Sequence, residues 1–330
     1  MPAPEVPENG PRQGSASAAR GIRSPSFQYQ VAKRYYIGNA TQDELARLFG
    51  LSRATISRVL AQARASGIVH IEVREPDREW SASASDELRE ALGLRAAYVE
   101  PPVDGRPGPV LALGVQRALR EVGLDPGDAL LVSSGTTMLE ISREDFPSLP
   151  SVLVAPMIGG QQEQDAEYQT NEIARAVANR CGGTVALLHA PAQPAAGLYD
   201  SLIQDPSVRR VVRLWKTAKC ALMGIGAPAQ MRSVMPATMS HDLNAIRASV
   251  GDICHRPFDK TGAPISFSGT MRLLSTTLED LRRIPFSIAV AVGAAKVTGL
   301  VTAARAGYYN TLVTDAPTAQ AILRQVRPDS

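Results

Sequence analysis

Apolar positions follow two regimes along this chain. Between about 27 and 67 they recur every three or four residues, as in Ile56, Val59, Leu60 and Ala63, the stripe of an amphipathic helix. From about 96 onward they gather into short, nearly continuous runs: AAYV (96–99), ALLV (129–132), VLVA (152–155), TVALL (184–188), CALMGI (220–225), SIAVAV (287–292) and TLVT (311–314). Helical stretches near 109–122, 138–145, 168–180, 197–214, 295–306 and 316–326 separate most of these runs. Strands that are apolar throughout and interleaved with helices predict a parallel sheet covered on both faces. Between the regimes, IVHIEVRE (68–75) has a β-type pattern, and DREWSASASDELREALGL (77–94) reads as a helix with Leu88 and Leu92 at i, i+4. The expected fold class is α/β: a winged-helix-like helix-turn-helix module, then a doubly wound, mostly parallel domain. The expected division is a leader over 1–26, the helical module over 27–75, a linker helix over 76–95 and the larger domain over 96–330. The leader holds five prolines and no aromatic residue, too little apolar surface to offset the entropy of ordering.

The helical module repays reading residue by residue. Thr41-Gln42-Asp43-Glu44 has the capping-box form, a hydroxyl at the N-cap with a carboxylate three residues on. The helix it starts is expected to bury Leu45, Leu48 and Phe49 and to end at Gly50, which tolerates the left-handed conformation. Ser52 then caps a second helix. Once its apolar stripe is buried, that helix faces outward with Arg53, Ala54, Ser57, Arg58 and Gln62, small near its start, then polar and basic. Such a face suits a DNA major groove, and two helices joined by so short a turn form a helix-turn-helix. Gln42, Ser52, Arg53, Ala54, Thr55, Ser57, Arg58 and Gln62 are therefore the expected DNA-facing residues. Residues 68–75 would be a hairpin arm or wing on the backbone.

Composition narrows the picture. The chain has 330 residues, with 44% hydrophobic, 20% charged and a net charge of +3. The overall charge is mild, but residues 27–66 hold Lys33, Arg34, Arg47, Arg53, Arg58 and Arg64 against only Asp43 and Glu44, a local surplus for a phosphate backbone. No apolar run approaches the roughly 18 residues of a membrane span, and the N-terminus has no signal-peptide stretch, so the expected location is the cytoplasm. Cys181, Cys220 and Cys254 are isolated, and His70, His189, His241 and His255 show no ligand spacing, so neither a metal nor a cofactor is expected. His189 and His255 read as structural.

The stretch VAKRYYIGNATQDELARLFGLSRATISRVLAQARASGIV resembles the helix-turn-helix of the SorC/DeoR family of sugar-responsive bacterial regulators. The resemblance continues through SSGTTMLEI, PMIGG, NEIARAVANRCGG, LLHAPA, GIGAP, GDICHRPFDKTG and AVGAAKVTGLVTAARAGYYNTLVTDAPTAQAIL, in matching order over about 130–325. It implies an effector domain folded like sugar-phosphate isomerases and deaminases, a phosphorylated sugar as inducer, and assembly into a dimer or tetramer on an operator.

In an open parallel sheet, ligands sit beyond the carboxyl ends of the strands. The expected effector-binding residues are Ser134, Gly135, Thr136, Thr137, Gly159, Gly160, Gly226, Asp252 and Lys296, all in segments that follow apolar runs or, for Asp252, a Gly-Asp-Ile turn. Ser134–Thr137 opens a helix whose free N–H groups and hydroxyls would cradle an anion, and Lys296 adds a mobile positive charge. The resemblance points to the same loop and lysine. A plainer reading stands beside each: a tight strand–helix turn, a surface lysine, a turn-capping aspartate, glycines needed only for turning. Gly293-Ala294-Ala295-Lys296 also departs from the family, which usually carries a second glycine there. A sugar-phosphate isomerase- or deaminase-like enzyme with an accessory helical module is the competing reading. It lacks a carboxylate pair or a His–carboxylate cluster in the turn segments. A pure oligomerisation scaffold would leave both the glycine-rich turns and the basic face unexplained.

Overall fold

The computed structural model describes residues 24–38, 40–69, 78–161, 166–195, 197–231, 247–266 and 272–327. The chain forms two compact units, 1–76 and 77–330.

In the first unit, helix α1 (Pro25–Ala32) runs into a π-helical turn (Lys33–Ile37), followed by α2 (Gln42–Phe49) and α3 (Arg53–Ala65). Helix α1 begins inside the expected leader because Ser24 caps it, accepting from the Phe27 N–H at 3.3 Å, and Pro25 suits the first helical position. The leader reading of 1–23 lies outside the described residues. The core is Val31, Ala32, Leu45, Ile56, Val59, Leu60 and Ala63, with Phe27 edge-on to Phe49 at 5.1 Å. Leu48 does not join it: its flank of α2 points away from α1 and α3, and it stays 62% exposed. Of the expected wing, 70–75 lies outside the described residues. Ile68 and Val69 form no strand and pack against the core, with Val69 N–H donating to Ala63 O at 3.0 Å.

The second unit runs α4 (Arg78–Leu92), β1 (Ala96–Glu100), α5 (Pro107–Val122), β2 (Ala129–Val132), α6 (Thr136–Ser142), β3 (Leu153–Pro156), α7 (Thr170–Cys181), β4 (Thr184–Val185), α8 (Leu198–Gln204), α9 (Pro206–Thr217) and β5 (Cys220–Gly224). It continues with β6 (Gly251–Ile253), β7 (Arg256–Phe258), α10 (Leu278–Arg283), β8 (Phe286–Val290), α11 (Val297–Arg305), β9 (Thr311–Asp315) and α12 (Ala316–Val326). Seven strands form one parallel sheet in the order β1-β9-β8-β5-β2-β3-β4. Both faces are buried, which is why the strands read as continuous apolar runs. In β2, Leu130 and Val132 face the core shared with α5, α6 and α7, while Ala129 and Leu131 face the core shared with α4, α9, α10, α11 and α12.

That distribution fixes the topology. From β2 the chain winds outward to β3 and β4 with α6 and α7 on one face. It returns to β5, on the other side of β2, and winds toward β8 and β9 with its later helices on the opposite face. The winding direction therefore reverses between β2 and β5, and their carboxyl ends flank the crevice that such a reversal leaves.

Several elements differ from the sequence expectation. The helix expected over 197–214 is two, because Asp205 ends α8 and caps α9 ahead of Pro206. The run TVALL pairs only at Thr184–Val185, since the Asn171 side chain takes both the Leu188 N–H and its carbonyl. The β6–β7 hairpin and α10 carry no legible signal: they are three to six residues long, and the hairpin turns at Cys254-His255 rather than at an Asn-Gly pair.

The two glycines after β3 are not equivalent. A Cβ on Gly159 would lie 2.6 Å from Ala190 O and 2.8 Å from Ala192 N, whereas on Gly160 its nearest neighbour is 3.7 Å away. Gly159→Ala is expected to cost about 1–3 kcal/mol in urea unfolding, because backbone cannot step aside cheaply. Gly160→Ala should stay within about 0.5 kcal/mol of the parent; equal losses would refute the close crossing.

Candidate nucleic-acid interface and ligand-binding rim

The caps predicted for the helix-turn-helix are formed. Thr41 Oγ1 accepts from Glu44 N–H at 3.2 Å, and the Glu44 carboxylate accepts from Thr41 N–H at 2.8 Å. The Thr41 N–H, together with the Thr41 hydroxyl donating to the same carboxylate oxygen at 3.0 Å, holds the Glu44 carboxyl below the usual carboxylate range. With a lowered folded-state pKa, the contribution is present at neutral pH and is lost as pH falls through that value. Gly50 takes φ 65° and ψ 33°, the left-handed stop between the helices. Ser52 Oγ caps α3 through Thr55 N–H at 3.2 Å and lies 2.8 Å from Thr55 Oγ1. Ser52 and Thr55 are thus tied to each other, and Thr55 and Gln42 are half-buried.

Arg53, Ala54, Ser57, Arg58 and Gln62 are all exposed, opposite the buried Ile56–Ala63 stripe. Arg53 approaches Asp43 at 3.9 Å, with both side chains well exposed. Such a surface pair is worth little and is readily exchanged for a phosphate. Arg58 Nε donates to Ala54 O at 3.4 Å, so its guanidinium stays along the outer face.

In the second unit the expected effector residues follow four neighbouring strands, β8, β5, β2 and β3. Ser134–Thr137 follow β2, Gly159-Gly160 follow β3, Gly226 follows β5 and Lys296 follows β8. Asp252 reaches the same end because β6 bridges to Gly226, whose N–H donates to Asp252 O at 2.9 Å. The bridge is close: a Cβ on Gly251 would lie 3.2 Å from Gly226 O and 3.3 Å from the α carbon of Gly299 in α11.

Two of these loops share an unusual backbone. Gly135 (φ 117°, ψ 156°) and Gly293 (φ 109°, ψ 142°) adopt a conformation essentially reserved for glycine. Each precedes a helical turn with no side-chain cap, and a Cβ at either would meet nothing within 4 Å. Glycine is therefore required by the turn, and the space above it is open. Gly293 N–H itself donates to Thr318 Oγ1 at 2.8 Å. Lys296 is half-buried, and Ala294, where the family usually has glycine, is exposed.

Ser133, not singled out from the sequence, ties the crevice together. It accepts from Gly224 N–H of β5 at 3.0 Å and donates to Ser134 O at 3.0 Å. Gln161 was also missed, because it opens the polar run GQQEQD that reads as a solvated loop. Its Nε2 lies 2.6 Å from Ser134 Oγ and 3.3 Å from Thr170 Oγ1.

Asp252 is buried, with 4% of its surface exposed, and its Oδ2 accepts from His255 N–H at 3.1 Å. His255 has a structural position: Cys254 and His255 both have positive φ, 50° and 61°, and make the two-residue turn of the hairpin. Arg256 beside them donates to the carbonyls of Leu273, Ser275 and Thr276, and burial lowers its pKa. A groove of about 270 Å³ lies against Arg256, Pro257, Thr277 and Leu278, none of which belongs to the rim. Among the described residues no cluster of His, Cys, Asp and Glu could hold a metal ion, and no helix is long and apolar enough to cross a membrane.

Residues 78–324 match the sugar-binding domain family, Sugar-bind. The chain is 30% identical over 308 residues to the sorbitol operon regulator of Klebsiella pneumoniae, covering 89% of this chain and 96% of that one. It is 28% identical over 309 residues to the deoxyribonucleoside regulator of Bacillus subtilis, covering 90% and 97%. Its fold matches the crystal structure of the full-length sorbitol operon regulator SorC from K. pneumoniae with a TM-score of 0.71 at 28% identity, over 90% of this chain and 98% of that one. The chain is a transcriptional regulator with a sugar-binding domain, and it belongs to the SorC/DeoR family.

Proposed function

We propose that this regulator binds an operator through α3 and that a small phosphorylated sugar, held at the rim between β2 and β5, controls its operator affinity. It works in the cytoplasm, without a cofactor and without catalysing a reaction. The observation that carries the reading is the pair of glycine-only turns at Gly135 and Gly293, each opening a helical turn with no side-chain cap onto open space. They sit on strands separated only by β5, hence about 10 Å apart at the usual strand spacing. Unspent amides, the Ser134, Thr136 and Thr137 hydroxyls and the long Lys296 side chain suit a phosphoryl group. Asp252, with Gly159, Gly160 and Gly226 around it, suits the sugar end. One helix-turn-helix reads too few base pairs for genomic specificity, so the working form is a symmetric oligomer, dimer or tetramer, on a repeated or palindromic site.

For the DNA face, Arg53→Ala or Arg58→Ala should cost about 1–3 kcal/mol of operator affinity and relax one base position where the arginine reads a guanine edge. Where it touches only phosphate, the loss is uniform across sequences and the salt dependence shallower. Unchanged operator binding in the double variant, measured by fluorescence anisotropy, would remove α3 from the interface.

For the rim, Lys296→Ala should weaken a phosphorylated sugar by about 1.5–3 kcal/mol while leaving DNA binding without ligand intact. A panel of sugar phosphates titrated into free protein and into the operator complex tests both halves, since linkage makes the two affinities shift each other equally, typically by about 1–3 kcal/mol. Equal ligand affinity in parent and variant removes the lysine from the site. Equal affinity with and without operator removes the regulatory coupling, and turnover of any sugar phosphate would favour an enzyme.

A further inference from the structure

The hydroxyl of Ser134 is only half accounted for. Gln161 Nε2 donates to Ser134 Oγ at 2.6 Å, and the same amide nitrogen reaches Thr170 Oγ1, on a residue 1% exposed, at 3.3 Å. An amide NH2 has two protons and can serve both hydroxyls at once, whereas the amide oxygen could accept only what those hydroxyls donate. With Gln161 donating, Ser134 Oγ accepts, and among the described residues its own proton meets no acceptor. The neighbouring hydroxyl is different: Ser133 both accepts, from Gly224, and donates, to Ser134 O.

Gln161 is itself held in place. Its N–H donates to Gln169 Oε1 at 3.0 Å, and Gln169 Nε2 donates back to Gln161 O at 2.7 Å. This reciprocal pair fixes the backbone at the end of the β3 loop, one residue beyond Gly160, whose N–H donates to Ala190 O at 2.8 Å. The side chain therefore leaves a pinned backbone and reaches across from the loop after β3 to the loop after β2.

We infer that Gln161 is a positioning residue of the rim: by donating to Ser134 Oγ rather than accepting from it, it orients that hydroxyl and leaves its proton to act as a hydrogen-bond donor toward a phosphoryl group. The inference rests on the phosphate reading of the rim given above. A hydroxyl has one proton and two lone pairs; Gln161 takes one lone pair and leaves the proton available to an anion, which needs donors only. Gln161 thus turns an ambivalent serine into part of an anion site without touching the ligand.

The test is a double-mutant cycle read by calorimetric titration of inorganic phosphate into the full-length protein. Ser134→Ala should weaken phosphate about tenfold, the loss of a charge-assisted hydrogen bond. Gln161→Met, which keeps the length of the side chain and removes its donors, should weaken it about three- to tenfold. Added to Ser134→Ala, Gln161→Met should cause no further loss, because the residue acts only through that hydroxyl. Gln161→Asn, one methylene shorter and still polar, withdraws the amide and should behave alike, so the cycle does not depend on one variant folding. Equal losses from the Gln161 variants with and without the serine hydroxyl would mean Gln161 merely supports the loop, and unchanged affinity would mean that it does nothing there. Either result overturns the inference and leaves the phosphate site standing. Failure of phosphate to bind the parent protein overturns the site, and the inference with it.

Discussion

Parallel strands cannot be joined by a tight turn: the chain must cross back over one face of the sheet, and the crossover is right-handed. This chain crosses from the edge strand β1 to β2, beside the middle of the sheet, and from there it covers both faces by winding outward one way and then the other. Here that reversal falls between β2 and β5. The loops on either side leave in opposite directions, toward α6 on one face and toward the later helices on the other, and the sheet is left with a notch that no crossover fills. The glycine conformations, the Ser133 tie and the Gly226–Asp252 bridge are all local solutions to closing the sheet around that notch. They bring the Ser133 and Ser134 hydroxyls and the backbone of Gly224 and Gly226 to its mouth.

The first unit solves a smaller problem by a different route. Its core has few large side chains, so it depends on helix ends for definition. The Thr41–Glu44 box, the Gly50 stop and the Ser52 cap fix where each helix begins and ends. Fixing those ends fixes the rotation of α3 about its axis, and with it which side chains are turned outward. The basic face is therefore as much a product of the caps as of the arginines.

Much of this was legible because period and caps are local. All seven sheet strands, the helix-turn-helix and its caps can be read from apolar spacing and from single residues such as Thr41, Gly50 and Ser52. The glycine turns could be located but not ranked: nothing local separates Gly159, which meets the backbone of Ala190 and Ala192, from Gly160, which does not. Leu48 was misplaced because the i+3 position is apolar in sequence yet finds no neighbour among the described residues of this small core. Gln161 and Ser133 were invisible for the same reason. Their partners, Ser134 with Thr170 and Gly224, lie 9 to 91 residues away in all but one case, and no periodicity encodes a polar contact of that range. Asp252 reaches the rim through a hairpin of two three-residue strands, too short for any pattern to announce.

That hairpin has a dynamic consequence. Cys254 and His255 both sit in the left-handed region, at about 1–2 kcal/mol each for residues other than glycine, and Cys254 is buried, so the strain cannot be relieved at the surface. Against it stand a three-residue ladder, the Asp252–His255 hydrogen bond and the three carbonyls gathered by Arg256. The segment carrying Asp252 thus joins a strained turn to a ladder only three residues long. In hydrogen-exchange terms its strained turn is expected to open before the strands of the sheet do. A ligand that grips Asp252 would then slow the opening of a strained turn, and occupancy would be felt first as a change in local lifetime, before any change in shape.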